Sequence, residues 1–193
     1  MKTVYIAHGW GNSSKSNWIP WVAQNLKDEG CEVIALDFPD PDEPRIGSWV
    51  EHLRSKVSAL NKDVYFIGHS VGCQTIMRFL ELIDVKVGGA IFVAGWFTLN
   101  NLETKEEEEI AEPWIKTPID FAKVRSVLPK SILMLSDNDP WVPFEETKKA
   151  FETNLGSEVV VLPRAGHITA DDGFGPFPQL IEAFRNVGSD TTD

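Results

Sequence analysis

Short apolar runs alternate along the chain with longer segments in which apolar residues recur at helical spacing. The runs are rich in Val and Ile and show no strict polar alternation, which is typical of strands buried on both faces of a parallel sheet. They lie at residues 3–7, 32–36, 64–67, 89–94, 131–135 and 158–162. The pattern therefore predicts a mostly parallel sheet of six strands.

The segments between these runs predict helices. Their apolar residues recur every three or four positions, at residues 18–29, 46–60, 73–82, 144–155 and 177–187. Strands and helices that alternate with short connections are typical of a parallel sheet with right-handed crossovers. We therefore expect a three-layer α/β fold, with helices on both faces of the sheet.

One connection, residues 95–117, shows no strand pattern. It holds Trp96, Phe97, the acidic run Glu106–Glu109 and the pair Pro113-Trp114. Runs of like charge are usually solvated, so we interpret the glutamates as a solvated face or a mobile loop. The flanking aromatic residues leave open a partial lid over a pocket.

Length and composition limit the choice of partners. A chain of 193 residues suits one domain, which we place at residues 1–187, and the polar tail 188–193 is predicted to be disordered. Asp and Glu number 29 against 18 Lys and Arg, giving a net charge of −11. An acidic chain repels phosphate backbones and anionic lipids, so we expect neither nucleic acid nor a membrane as partner.

The chain start and the cysteine count indicate the compartment. The apolar stretch after Met1-Lys2 is too short for the core of a signal peptide. There are two cysteines, Cys31 and Cys73, too few for a disulfide framework. We therefore predict a cytoplasmic protein.

The segment 64–72 carries the clearest chemical signal. It reads Val-Tyr-Phe-Ile-Gly-His-Ser-Val-Gly, a strand that enters Gly-x-Ser-x-Gly and then a helix. Gly68 and Gly72 allow a sharp bend that holds Ser70 on a strained turn with its hydroxyl exposed. The N–H groups at the start of the next helix favour a developing negative charge there. Ser70 is the candidate nucleophile.

A serine hydroxyl needs a base to remove its proton. His167 follows the last predicted strand, at the carboxyl edge where parallel sheets place their sites, and is the candidate base. We interpret His52 as a surface residue on a helix. His69 adjoins Ser70 along the turn, and we expect its side chain to point elsewhere.

An acid is needed to orient the histidine and stabilise its charged form. Asp137 and Asp139 both follow the fifth predicted strand. We favour Asp139, because it lies farther out in the loop that can reach His167. Asp137 is then expected to cap a turn or the next helix.

Two backbone N–H groups and several tryptophans complete the predicted site. Val71 follows the nucleophile, and Trp10 lies in the loop after the first strand, so their N–H groups are the candidate oxyanion donors. Trp10, Trp96 and Trp141 each come just after a strand. Large aromatic residues at this edge predict an apolar substrate pocket, with Trp96 and Trp141 as its walls.

Several segments together resemble the α/β-hydrolase superfamily, and more narrowly the small serine hydrolases grouped with retinoblastoma-binding protein 9 and its compact bacterial relatives. These segments are His8-Gly9-Trp10-Gly11, Gly68-His69-Ser70-Val71-Gly72, Asp139-Pro140-Trp141-Val142-Pro143 and Gly166-His167. The resemblance implies a triad of Ser70, Asp139 and His167. It also implies a six-stranded sheet without a large cap domain.

The sequence thus predicts a serine hydrolase of carboxylesterase type that cleaves a small ester, thioester or amide through an acyl-enzyme. The expected partner is a small acyl substrate, with no cofactor and no metal. Two alternatives stay open: a binding module that keeps the fold without turnover, and an acyltransferase, in which another nucleophile replaces water.

Overall fold

The computed structural model describes residues 1–189 and is built on one six-stranded sheet in which every pair of neighbouring strands is parallel. The spatial order is β2-β1-β3-β4-β5-β6. The strands are β1 Thr3–Ala7, β2 Glu32–Leu36, β3 Val64–His69, β4 Gly89–Val93, β5 Ser131–Ser136 and β6 Glu158–Leu162. β3, β4 and β5 are buried along their whole length, whereas the edge strands β2 and β6 expose some positions.

Helices cover both faces of the sheet, each over its own hydrophobic core. Residues of α1 and α7 belong to one core, and residues of α2 to α6 belong to the other. The helices are α1 Ile19–Asp28, α2 Ile46–Lys56, α3 Val71–Leu80, α4 Lys105–Lys116, α5 Phe121–Val127, α6 Phe144–Leu155 and α7 Pro178–Gly188. The predicted three-layer α/β class is therefore confirmed.

The strand register brings the candidate residues to one edge of the sheet. Ala7 of β1 lies opposite Gly68 of β3, and His69 of β3 lies opposite Val93 of β4. Because the strands are parallel, the loops that follow β1, β3, β4, β5 and β6 all leave the sheet at its carboxyl edge. These loops carry Ser70, Asp139, His167 and the tryptophans predicted for the site.

The segment 95–117, for which the sequence left a solvated face and a mobile loop open, forms α4 over much of its length. Thr104 caps this helix: its hydroxyl accepts the Glu107 N–H, and the Glu107 carboxylate accepts the Thr104 N–H. Such a capping box stabilises a helix start. Three residues of the acidic run, Glu106, Glu107 and Glu108, therefore lie in the first turn of a helix, where negative charge is favourable. α5 was not predicted either.

The structure bears on the predicted C-terminal tail but not on the predicted location. α7 extends to Gly188, the first residue of the predicted tail, and residues 190–193 lie outside the described residues. Within residues 1–189 no helix is both long and apolar enough to cross a bilayer. The single domain at residues 1–187, the cytoplasmic location and the absence of a nucleic-acid partner stay predictions.

Candidate active site

Ser70 lies on a strained turn between β3 and α3, with φ 52° and ψ −122°. The two flanking glycines permit this turn, because their neighbours leave no room for a side chain. A Cβ at position 72 would lie 2.5 Å from the Ala7 carbonyl oxygen, and one at position 68 would lie 2.8 Å from the Cys73 nitrogen. Real Cβ atoms do not approach backbone so closely, so the turn requires glycine at both positions.

The hydroxyl of Ser70 has one described partner. Its Oγ accepts a hydrogen bond from Trp96 Nε1 at 3.2 Å, and its backbone N–H donates to the Val93 carbonyl at 2.9 Å. Val71 is the first residue of α3, where an N–H group has no partner within the helix. The serine is thus held at the end of β4, next to the first N–H group of α3.

His167 and Asp139, far apart in the sequence, form a close pair. The Nδ1 of His167 lies 2.7 Å from Asp139 Oδ2, and the Asp139 side chain is buried. The other carboxylate oxygen, Oδ1, accepts the backbone N–H groups of Trp141 and Val142, each at 3.0 Å. Because a carboxylate only accepts, Nδ1 carries the proton and Nε2 is free to act as a base.

Three consecutive residues, the last of β5 and the two that follow it, hold the loop that carries His167. The backbone N–H of Arg164 donates to Asp137 Oδ1 at 2.7 Å, and that of Gly166 donates to Asn138 Oδ1 at 2.9 Å. The N–H between them, of Ala165, donates to Ser136 Oγ at 2.9 Å. Asp137 therefore binds the histidine loop, rather than capping a local turn or the next helix as the sequence suggested.

Asp172 fastens the other side of the same loop. Its Oδ2 accepts the backbone N–H groups of His167 at 3.1 Å and Thr169 at 3.0 Å, and also the Thr169 hydroxyl at 2.7 Å. Gly166, with φ 55°, passes so close that a Cβ there would lie 2.0 Å from Asp172 Oδ1. The backbone of His167 is thereby fixed from both sides.

His69 does not point away from the site, contrary to the sequence-based expectation. Its ring centroid lies 5.1 Å from that of His167, and its Nε2 lies 3.0 Å from the His167 carbonyl oxygen. Burial lowers the pKa of His69 to about 3. The ring is therefore neutral. Its Nε2–H donates a hydrogen bond to the carbonyl oxygen of His167 and so helps to hold the backbone of that residue. His52, by contrast, is half-buried on α2 against Phe38.

A second buried histidine shapes the loop after β1. His8 Nδ1 lies 2.8 Å from the Gly9 carbonyl oxygen, and its Nε2 accepts the Phe38 N–H at 3.0 Å. Burial lowers the pKa of His8, so the ring is neutral with its proton on Nδ1. Among residues 1–189 no hydrogen bond uses the backbone N–H of Trp10, the next residue in this loop.

Most of the candidate residues line one cavity of about 380 Å³, but Asp139 and Val71 do not. Ser70 and His167 both line it. Its wall also includes the three tryptophans that follow strands at this edge, and two leucines and two glutamates: Trp10, Trp96, Trp141, Leu99, Leu102, Glu103 and Glu107. Trp96 is buried, whereas Trp141 is 40% exposed and stands edge-on to the His167 ring at 5.0 Å.

The remaining candidate chemistry contributes little. Cys73 is buried beside the turn, and burial raises the pKa of its thiol, which argues against a nucleophilic role. Within the described part of the chain, no three His, Cys, Asp or Glu side chains are grouped so that they could hold a metal ion.

A parallel sheet with helices on both faces, and a strained serine between β3 and α3, define an α/β hydrolase. Comparison with known proteins agrees. Residues 4–186 match the model of the serine hydrolase family, and the chain belongs to that family. It is a hydrolase.

Three known proteins illustrate the likeness. YdeN of Bacillus subtilis (strain 168), which is named as a hydrolase, is 30% identical and covers 99% of this chain and 98% of its own. The crystal structure of YdeN aligns with this structure with a TM-score of 0.89 and 26% sequence identity, over 98% of this chain and 100% of that one. The serine hydrolase RBBP9 of Rattus norvegicus is 25% identical over 93% of this chain and 91% of its own.

The third is a structure from a study of carboxylesterases of the thaumarchaeon Nitrososphaera gargenis, with a TM-score of 0.73 at 14% identity. It covers 97% of this chain and 90% of that one. At this identity the likeness concerns the fold alone.

Proposed function

We propose that the protein hydrolyses small carboxylic esters through an acyl-enzyme formed on Ser70. The observation that carries the proposal is that Ser70 and His167 line one cavity, and that His167 Nδ1 is hydrogen-bonded to Asp139. Esters come first because an alcohol leaves more readily than an amine. Thioesters and amides are the next candidates.

The reaction begins when Nε2 of His167 takes the proton of Ser70 Oγ as that oxygen attacks the carbonyl carbon. Oγ accepts a hydrogen bond from Trp96 Nε1 in this structure, and a hydroxyl that accepts can still donate its own proton to His167. Asp139 accepts the Nδ1 proton throughout and stabilises the imidazolium that forms.

Attack places a negative charge on the former carbonyl oxygen, and the backbone N–H groups of Trp10 and Val71 are the proposed donors to it. Removing one such donor typically costs about 10²–10³ in turnover. The imidazolium of His167 then gives its proton to the leaving alcohol, and the C–O bond to that alcohol breaks.

Deacylation repeats the same steps with water. His167 Nε2 removes a proton from a water molecule, the hydroxide adds to the acyl carbon, and Ser70 Oγ leaves with the proton that His167 returns. The products are one alcohol and one carboxylic acid for each ester and water consumed.

The apolar side chains of the cavity support a compact acyl group. Trp96, Trp141, Leu99 and Leu102 line it, and a cavity of about 380 Å³ lies near the small end of ligand sites, which span about 300–1,000 Å³. We therefore propose Trp96 and Trp141 as the substrate-facing residues, and short esters as the substrates.

A fluorophosphonate probe and a short-chain p-nitrophenyl ester test the proposal together. We expect the wild-type protein to be labelled and to release p-nitrophenol, and Ser70→Ala to lose both while its melting temperature is kept. Cys73→Ala is the matched control, because it alters the neighbouring turn without touching the nucleophile, and it should keep both activities.

Two other results would decide against ester hydrolysis. Folded wild-type protein that neither labels nor turns over would favour a binding module with a hydrolase fold. Labelling together with acyl transfer to an added alcohol or amine, at the expense of hydrolysis, would favour an acyltransferase.

A further inference from the structure

The charge distribution around the Ser70 cavity is one-sided. Of the side chains that line it, two are carboxylates, Glu103 and Glu107, and none is a lysine or arginine. Glu103 is exposed and Glu107 is half-buried. Any substrate that reaches Ser70 therefore passes or contacts negative charge, in a chain whose net charge is already −11.

Neither carboxylate is neutralised by a neighbouring cation. No salt bridge among residues 1–189 includes Glu103 or Glu107, and the nearby Lys105 pairs with Glu109 on the following turn. Glu107 Oε2 accepts the backbone N–H groups of Glu103 at 2.7 Å and Thr104 at 3.0 Å. These bonds fix the two acidic residues next to each other at the start of α4.

The rest of the lining is mostly apolar or uncharged. Apart from the two glutamates, the only ionisable side chains among the described residues that line this cavity are those of His69 and His167. Trp96, Trp141, Leu99 and Leu102 offer apolar contact to an acyl chain. The lining therefore combines apolar contact with an uncompensated negative potential.

We infer that Glu103 and Glu107 determine substrate specificity by charge, so that the site prefers esters bearing a cationic group and disfavours esters bearing a carboxylate or other anion. The inference rests on the proposed ester hydrolysis at Ser70 and adds the substrate class. An attractive potential raises the local concentration of a cation and lowers that of an anion. The effect acts mainly on kcat/KM.

The two glutamates are not expected to contribute equally. The Glu107 carboxylate lies at the N-terminus of α4 and accepts two backbone N–H groups, and the positive end of the helix dipole offsets part of its charge. The Glu103 carboxylate accepts no hydrogen bond among residues 1–189, so less of its charge is offset. Removing the charge of Glu103 should therefore change the specificity more.

Three matched esters of one short acid test the inference. One alcohol carries a quaternary ammonium group, one carries its uncharged tert-butyl isostere, and one carries a carboxylate at similar length. At about 10 mM salt we expect kcat/KM to fall about threefold to tenfold at each step from cation to neutral to anion. At about 0.5 M salt the ratios should shrink toward one, since salt screens exposed charges.

Charge-removing variants assign the effect to these residues. Glu103→Gln and Glu107→Gln should each reduce the cation-to-anion ratio, and the double variant should bring it close to one. Glutamine can replace glutamate in a capping box, so Glu107→Gln keeps the start of α4. Glu106→Gln and Glu108→Gln are the matched controls, because both lie in the first turn of α4 but do not line the cavity.

The outcomes separate this inference from the proposed function. If wild-type protein cleaves the neutral ester in a Ser70-dependent way but shows a flat charge series, the charge inference is wrong and ester hydrolysis stands. The inference is also wrong if the control variants alter the ratio as much as Glu103→Gln does. If none of the three esters is cleaved, both fail.

Discussion

The substitution Asp139→Asn tests the proposed triad through the position of one proton. The carboxylate of Asp139 has two distinct sides: Oδ2 faces His167 Nδ1, and Oδ1 accepts two backbone N–H groups, from Trp141 and Val142. An asparagine has the same shape, but it must place an oxygen on one side and an NH2 group on the other.

The backbone decides which way the amide turns. An NH2 group on the Oδ1 side would face two N–H donors at about the 3.0 Å spacing they now have to Oδ1, leaving both without an acceptor. The amide oxygen therefore stays there, and the NH2 group faces His167 Nδ1. Nδ1 must then accept, so the ring proton moves to Nε2.

A histidine with its proton on Nε2 cannot take the proton of Ser70. Where this tautomer change has been made in a serine protease, turnover fell by about 10⁴, and we expect a loss of that order here. The fold should persist, because the amide keeps the two backbone hydrogen bonds. The melting temperature is expected to stay within about 3 °C of the wild-type value, which corresponds to roughly 1 kcal/mol for a chain of this length.

The assay compares kcat on a short p-nitrophenyl ester, the rate of fluorophosphonate labelling and the melting temperature. Asp137→Asn is the control: the Asp137 side chain accepts one N–H, from Arg164, which an amide oxygen can still accept. It should keep activity within about threefold, equivalent to less than about 1 kcal/mol of transition-state stabilisation. An Asp139→Asn protein with more than a tenth of wild-type turnover, or a greater loss in Asp137→Asn, would refute the assignment.

Two further predictions concern stability. Gly72→Ala should lower the free energy of unfolding, measured by urea titration, by about 3 kcal/mol, in the range typical of overpacking, because the new Cβ would lie 2.5 Å from the Ala7 carbonyl oxygen. Gly47→Ala is the control: there is open space around its Cβ, so it should be neutral or stabilising. Equal effects of the two substitutions would contradict the close contact at Gly72. The pKa of His69 is about 6.5 in the unfolded chain and is lowered to about 3 in the folded protein. Between these values the unfolded chain binds one more proton than the folded protein. The free energy of unfolding therefore falls as pH falls through this window, by up to ~1.4 kcal/mol per pH unit. His69→Gln should reduce that slope between pH 6 and 4, leaving the part due to His8, whose pKa is also lowered; an unchanged slope would show that His69 does not titrate this way.

The sheet and the serine turn could be predicted because their signals are local. Each strand is a short apolar run, and the strand bounds in the structure differ from the predicted ones by at most two residues. The turn at Ser70 is encoded by two glycines and by the change from strand to helix periodicity. Such patterns need no knowledge of what packs against them.

Helix α4 was missed because its apolar face is narrow. Its buried residues are Ala111 and Trp114, and most other positions are charged. Its start is stabilised by Thr104 and Glu107, which form a capping box. The Thr-x-x-Glu pattern is a helix-start signal in the sequence, but the run of glutamates is equally compatible with a solvated face and with a mobile loop.

The orientation of His69 could not be read from its neighbours in the chain. Adjacent side chains on a regular strand point to opposite faces, and this suggested that His69 would turn away from the site. Ser70 leaves the strand at a positive φ, so that alternation ends at the turn. His69 then contacts His167 through tertiary packing, 98 residues away.

The position of His167 depends on contacts between loops rather than on the sheet. Ser136, Asp137 and Asn138 each accept one of the three consecutive backbone N–H groups at 164–166, while Asp139 accepts the imidazole itself. Four successive residues, the last of β5 and the three that follow it, therefore set both the backbone and the ring of the histidine. Sequence spacing could identify Asp139 and His167 as candidates, but it could not show that Asp137 binds the backbone of the same loop. This arrangement explains why two aspartates follow β5: one fixes where the histidine is, and the other fixes which of its nitrogens carries the proton.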